Sequence, residues 1–429
     1  MRLPQRLDAR LALVALIALT ALGLAGCGGS SPGSGSNSGS GSPPPPVNNN
    51  QAIDVNPGPL NDYPNGLFTT VTICVPGTSN CQNIPDVLVD TGSEGLRLLS
   101  SQVTLKLPTI ADSNNNNLQE CVVFGDGSFN WGGVVSADIK LAGEIGSSVP
   151  MQLIDSKSPT TFPVPSACLS GGGSDANTVQ ALGANGILGI GNYQQDCGTA
   201  CTNTNNPIPG TYYVCSSNGT CSSVAVPVDF QVQNPVSTFP QDNNGLLISL
   251  PSIPPPPPGV ADTGAPTVSG SLIFGIGSQT DNGIGAAVIY KLDQSGNIQT
   301  AFNNVSYKSF IDSGSNGLFF LDSTTLGIPD CTTSKGFYCP GKTQSYTVTN
   351  SSMNGASGSV SFNIANAEAL FAANNGQNAA FDNLGGRTGT GPSTDNVDFG
   401  MPFFYGRNVF VGIENKTGPG GVVGPYWAY

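Results

Sequence analysis

Apolar positions in this chain come in short bursts, punctuated by Gly, Pro, Asn and Ser. That spacing predicts strands joined by turns, with little room for long helices. Leu67–Val75, with Phe68, Val71 and Ile73, has the alternation of a half-buried strand. Val87-Leu88-Val89 is a β-branched run that breaks into Asp90-Thr91-Gly92-Ser93-Glu94-Gly95-Leu96. Phe310-Ile311 breaks in the same way into Asp312-Ser313-Gly314-Ser315-Asn316-Gly317-Leu318. Each run carries a carboxylate to the end of a buried strand, where a Gly lets the backbone turn and hydroxyls on either side can donate to the acid. A single motif of this kind reads as an Asx-type turn capping a strand. Two copies with matched flanks predict a duplicated unit whose halves bring Asp90 and Asp312 together. Thr178–Leu182 and Ala365–Ala373 are the places for short helices; Met353–Ala373 as a whole is ambiguous.

The flanking segments resemble the pepsin-like aspartic proteases. Phe124-Gly125-Asp126-Gly127-Ser128-Phe129, followed by Gly132–Asp138, is similar to that family's flap hairpin and the strand after it. Gly186-Ile187-Leu188-Gly189-Ile190-Gly191 and Val397-Asp398-Phe399-Gly400-Met401-Pro402 resemble the segments that pass beneath the two Asp loops. Ser269–Gly275 resembles the strand that opens the second lobe. The resemblance spans roughly residues 60 to 429 in the family's order. It implies an all-β, bilobal pepsin-like acid protease fold of two duplicated barrel-like lobes with a few short helices. It further implies Asp90 and Asp312 as the catalytic pair, supported by Thr91, Gly92, Ser93, Ser313, Gly314 and Ser315. Phe124, Gly125, Asp126, Gly127 and Ser128 would form the substrate-binding flap. The chemistry needs no metal and no cofactor. Three positions depart from the pattern: Phe124 stands where the flap usually has Tyr, Arg97 where a bulky aromatic is usual, and Asp398 where an apolar residue is expected.

Charge and composition narrow the alternatives. The 14 basic and 27 acidic residues give a net charge of −13, which argues against nucleic acid as a partner. The chain has no His, which removes Ser-His and Cys-His catalysis and His-ligated zinc. Carboxylates are the main acid–base groups left.

Met1–Gly26 reads as a signal peptide: Arg2, Arg6 and Arg10 precede the apolar run Leu11–Leu22, which is too short to span a bilayer. Leu24-Ala25-Gly26-Cys27 reads as a lipobox, so Cys27 is the expected site of acylation, against the plainer alternative of an ordinary cleavage site. Gly28 after the Cys points to the outer-membrane class in a double-membrane bacterium. The periplasmic or surface face stays open. Residues 27–57, rich in Gly, Ser, Pro and Asn, are expected to be a disordered linker to that lipid anchor. Residues 58–250 are expected as the first lobe and 251–429 as the second, with the boundary near 245–270. Asp262-Thr263-Gly264-Ala265 lacks an apolar run before it and reads as a turn, and Pro254–Pro258 as a stiff surface segment.

Ten further cysteines, an even number in an exported chain, predict disulfides. Cys74 with Cys81 and Cys331 with Cys339 close local loops, which leaves Cys121 for Cys168 in the first lobe. Cys197, Cys201, Cys215 and Cys221 lie in a polar insertion and predict two more bridges of open connectivity, with a four-thiolate metal site as the lesser alternative.

Two functions remain. One is an envelope-anchored aspartic endopeptidase taking peptide or unfolded protein as substrate, with the oligomeric state open and a monomer favoured. The other is a catalytically silent pepsin-like lipoprotein that binds peptide or glycan in the same cleft. A structural envelope protein is a third, weaker possibility.

Overall fold

The computed structural model describes residues 47–112, 114–156, 162–205, 207–208, 210–216, 219–255, 263–388 and 396–429. The signal peptide, Cys27 and most of the expected linker lie outside them. So do Asp262 and most of Pro254–Pro258. Among the described residues no helix is long and apolar enough to cross a membrane.

The chain is mostly β. Among the described residues the strands form a fifteen-stranded and a seven-stranded sheet. In the first half, Gly66–Cys74 pairs with Cys81–Asp90, and Phe129–Leu141 pairs with Glu144–Ile154. The strand Phe129–Leu141 also pairs with Gly66–Cys74, which curls this part of the large sheet into a barrel. Its alternate side chains, such as Val71, Ile73, Val89, Leu96, Ile139 and Met151, fill the interior and are nearly inaccessible. In the second half, Val305–Ile311, Asn396–Phe399 and Leu318–Phe320 lie side by side in the smaller sheet.

The two halves are sewn together by a run of antiparallel strands. Asn50–Asn56 pairs with both Gly66–Cys74 and Val268–Phe274. Gly245–Leu250 then joins Val268–Phe274 to Arg407–Gly412. Asn50–Asn56 falls inside the stretch read as linker, yet it is a strand. Only Ile53 and Val55 point inward, so its apolar signal is too sparse to stand out from the surrounding Asn and Gln. Ser323–Leu326, capped by Asp322, is a short helix the sequence did not mark; the two expected ones are Val179–Leu182, whose N-cap Thr178 accepts from the Ala181 amide, and Ala367–Ala372, capped by Asn366. In the ambiguous stretch before that second helix, Ser357–Ile364 is a strand paired with Gln344–Ser351.

Among the described residues five disulfides close: Cys74–Cys81, Cys121–Cys168, Cys197–Cys201, Cys215–Cys221 and Cys331–Cys339. The four insertion cysteines pair locally, so their sulfurs are not free for a metal.

Candidate active site

Each Asp loop is built by the same three strands. Cys81–Asp90 runs parallel to Gly186–Ile190, and the outgoing strand Glu94–Leu99 returns antiparallel on its other side. In the second half Val305–Ile311 runs parallel to Asn396–Phe399, with Leu318–Phe320 returning beside it. The loops thread around glycines that nothing larger can replace. A Cβ on Gly189 would sit 2.7 Å from the carbonyl carbon of Glu94, and one on Gly400 would sit 2.1 Å from the Gly317 oxygen. The Gly-containing segments singled out in the sequence therefore matter because a loop crosses over them.

The two loops lock onto each other. The Thr91 amide donates to Ser313 Oγ at 3.1 Å and the Ser313 amide donates to Thr91 Oγ1 at 3.0 Å. The hydroxyls then cap the opposite strands: Thr91 Oγ1 donates to the Ile311 carbonyl and Ser313 Oγ to the Val89 carbonyl. This fourfold exchange holds the two carboxyls face to face. Asp90 and Asp312 are 4% and 0% exposed, and a side-chain hydrogen bond joins them. A Cβ on Gly314 would lie 2.6 Å from Asp90 Oδ1, which shows how closely one loop approaches the other's acid.

The backbone treats the two acids alike. The Gly92 amide donates to Asp90 Oδ1 at 2.9 Å, and the Gly314 amide to Asp312 Oδ1 at 2.8 Å. The side chains around them do not. Ser93 Oγ donates to Asp90 Oδ2. Ser315 Oγ lies between two carboxyls, donating to Asp398 Oδ2 at 2.6 Å while also hydrogen-bonding Asp312. Burial raises the Asp90 carboxyl above its ordinary range, opposed by Ser93, Gly92, the bond from Asp312 and the more distant Arg97 charge. Asp312 is raised well above that range by burial, then by the negative charge of Asp398, then by that of Asp90. Asp312 Oδ2 accepts no hydrogen bond from a donor among the described residues. These effects favour the proton of the pair on Asp312. Asp398 is 3% exposed and sits on the strand beneath the loop, where the sequence marked only an oddity. Arg97, the other oddity, is buried in an ion-pair cluster with Glu120 (2.6 Å) and Asp196 (3.2 Å), and Tyr212 Oη donates to Asp196.

The hairpin turn at residues 124–128 is closed by the Phe124 amide to the Ser128 carbonyl and the Gly127 amide to the Phe124 carbonyl. Asp126 is exposed and accepts from the Ser128 amide and hydroxyl. Gly127 takes a φ of +86° and packs on Gly171 and Gly173, a segment bridged to the hairpin by Cys121–Cys168. The Phe124 ring is 4% exposed and belongs to an apolar cluster with Phe68, Leu88, Leu99 and Ile187. It is thus part of the packing under the hairpin. Sequence reasoning missed Tyr63, whose ring packs on the same cluster and whose hydroxyl feels the charges of Asp312, Asp90 and Asp126. Its signal, one aromatic in the polar run Asn61-Asp62-Tyr63-Pro64-Asn65, was too slight to read.

Among the described residues one group has the proximity of a cation site, Cys331, Cys339 and Glu368, within 4.8 Å. Both sulfurs are tied in a disulfide, and Glu368 is engaged by the Thr333 and Ser334 amides.

The family model described as "Protein of unknown function (DUF3443)" matches residues 45–429. The chain belongs to that family. No curated protein matches this DUF3443 member by sequence. Solved structures match it in fold, among them the crystal structure of aspartic proteinase from Irpex lacteus. It is 13% identical, with a TM-score of 0.50, over 88% of this chain and 96% of that one. At that identity the likeness shows the fold, which is pepsin-like.

Proposed function

We propose that this DUF3443 protein is an aspartic endopeptidase, cleaving extended peptide or unfolded protein by direct attack of water. The observation that carries the reading is the contact of two buried carboxyls, each held by its own loop and sharing a hydrogen bond. Two like charges so close cannot both ionise at low cost, so the pair keeps one proton over a wide pH range. In that form Asp90 is the base: it takes a proton from the bound water as the oxygen attacks the peptide carbonyl. Asp312 is the acid: it donates its proton to the carbonyl oxygen. The tetrahedral diol collapses as Asp90 gives the proton it took to the amine nitrogen, the C–N bond breaks, and a diol hydroxyl returns its proton to Asp312 as the carboxyl product forms. Atoms and charge balance with the dyad alone.

Anchoring by an acylated Cys27 to a bacterial envelope, at the outer membrane by the Gly28 that follows it, is part of the same proposal. It rests on the sequence of the first 28 residues. The test is cleavage of a diverse peptide library between pH 3 and 7, comparing wild type with Asp90→Asn and Asp312→Asn. Cleavage by the wild type alone supports the enzyme. Peptide or glycan binding that persists in both variants, without cleavage by any of the three, favours the silent binding module.

A further inference from the structure

Tyr63 is fixed from three sides. Its ring meets Phe68 edge-on, with centroids 5.7 Å apart and planes at 77°. It also covers Gly66 and Gly183, where a Cβ would fall 2.7 Å and 2.4 Å from ring carbons, so both glycines leave room for the ring. Its amide donates to the Pro57 carbonyl at 2.9 Å.

Two residues on, buried Asn65 rivets the segment to the other lobe. Asn65 Nδ2 donates to the carbonyls of Asn316 and Phe381, both at 2.8 Å. Asn65 Oδ1 accepts from the Phe381 amide at 2.7 Å and from Tyr405 Oη at 2.8 Å. Asn316 directly follows Ser315, so the Tyr63 segment is held against the second Asp loop itself.

Against this rigid setting one atom stands out. The Tyr63 hydroxyl is buried and has no hydrogen-bond partner among the described residues. A buried O–H left unpaired is destabilising, and it calls for a reason. The charges that reach it come from Asp312 and Asp90 of the dyad and from Asp126 at the tip of the hairpin. With its ring packed on the cluster that holds Phe124 and its segment tied by Asn65 to the second Asp loop, the phenol lies between the hairpin and the dyad. The neighbouring Phe124 has no hydroxyl to place there.

We propose that the Tyr63 hydroxyl is the donor presented across the cleft from the dyad. It hydrogen-bonds to the water held by Asp90 and Asp312 in the resting protein, and to the peptide bound in its place. The second half of this assignment rests on the peptide-cleft reading above; the first half does not. Burial and the three carboxylates hold the phenol well above its ordinary range, so the group remains a donor at any pH where the dyad works.

Tyr63→Phe keeps every ring contact and removes only the hydroxyl. In protein labelled at tyrosine 13Cζ, the resonance missing from Tyr63→Phe is that of Tyr63. It should titrate with the dyad between pH 3 and 8, and lose that titration in Asp90→Asn and Asp312→Asn. With a cleavable peptide, Tyr63→Phe should lower kcat/KM about tenfold, the loss of one hydrogen bond to the bound group. Its affinity for a peptide mimic bearing a central hydroxyl should fall likewise. Its melting temperature should stay level or rise. A resonance indifferent to the dyad overturns the assignment, and so does wild-type turnover and binding in Tyr63→Phe. A marked loss of Tm overturns it too, because the residue would then be structural. A wild type that neither cleaves nor binds peptide sinks the peptidase reading, and the resonance alone then decides the placement of the hydroxyl.

Discussion

Replacing Asp398 by Asn should move the basic limb of the pH–rate profile to lower pH. Asn preserves the shape and still accepts from Ser315, so the change is close to a pure removal of charge. Ser315 Oγ lies 2.6 Å from Asp398 Oδ2 and hydrogen-bonds Asp312 on its other side. Two such bonds in series separate the carboxyls by about 5 Å. Coulomb's law at an effective dielectric of 20 then gives about 3 kcal/mol between full charges. The Asn dipole and proton sharing along the chain of groups reduce this, leaving about 1–2 kcal/mol, a factor of roughly 5–30 in the protonation equilibrium.

The sign follows from which form Asp398 opposes. Its negative charge disfavours ionised Asp312, so Asp312 keeps its proton to higher pH than burial alone would allow. Without that charge the proton leaves earlier, and the singly protonated pair disappears at a lower pH. Hydrolysis of a fluorogenic peptide, measured from pH 3 to 8, should show an unchanged plateau but a five- to thirtyfold loss at a fixed pH on the basic limb. The infrared band of protonated carboxyl should fade at a lower pH in the variant, with no substrate present. Stability supplies a second sign. A carboxyl raised in the native state binds more protons there than in the unfolded chain, so stability falls as pH rises towards its folded value. Asp398→Asn should therefore raise Tm near neutral pH and leave it level at pH 3. An unmoved or upward-moving limb would refute the coupling, as would an equal gain in Tm at both pH values.

Asp90→Asn and Asp312→Asn should each cut turnover by roughly 10²–10⁴-fold, the contribution of a lost acid or base, with circular dichroism unchanged. Arg97→Met leaves Glu120 and Asp196 buried together without their cation, and should cost about 3–5 kcal/mol in urea denaturation; an unchanged midpoint would remove the ion pair from any account of stability. The Cys121→Ser/Cys168→Ser pair opens a loop with a sequence separation of 47 and should cost about 4 kcal/mol by the same measurement. The Glu144 carboxyl is raised to about 7 by burial and then by Asp242, so the native state holds its proton above the ordinary value of 4.5 and loses stability as pH rises through that window. Glu144→Gln should accordingly raise Tm at pH 8 but not at pH 4, and scanning calorimetry at the two values checks it.

Local signals in the sequence carried the Asp loops, the capped helices and the short-range disulfides, because each depends on residues close together in the chain. Asp90 and Asp312 stand out as an apolar run ending in an acid, a hydroxyl and a Gly, twice. What stayed hidden depends on distant neighbours. Asp398 was visible as a charge in an apolar strand, but nothing local says that its partner is Ser315, 83 positions away in sequence. Phe124 matched a motif position, yet its ring faces Phe68 and Leu88, strands the motif does not mention. Tyr63 has no pattern around it at all. Its place comes from Asn65, which bonds to residues more than 250 positions away.

The duplication that makes the two aspartates equal also shows where they differ. Both loops give their acid one Gly amide at nearly the same length, so the backbone favours neither. Ser93, Arg97 and Asp398 break the tie. Ser93 donates to Asp90, whereas the Ser315 proton is drawn off towards Asp398. Arg97 adds a positive charge on the Asp90 side, where Asp398 adds a negative one on the other. All three push the shared proton the same way, onto Asp312, and in the proposed reaction leave Asp90 as the base. Their weights are unequal. Arg97 is the smallest influence on Asp90, because Glu120 and Asp196 already neutralise it, while Asp398 is the largest charge acting on Asp312. The pH profile should therefore respond far more to Asp398→Asn than to any charge-removing change at Arg97 that still folds. Equal responses would mean that the polarity of the pair comes from burial and backbone alone.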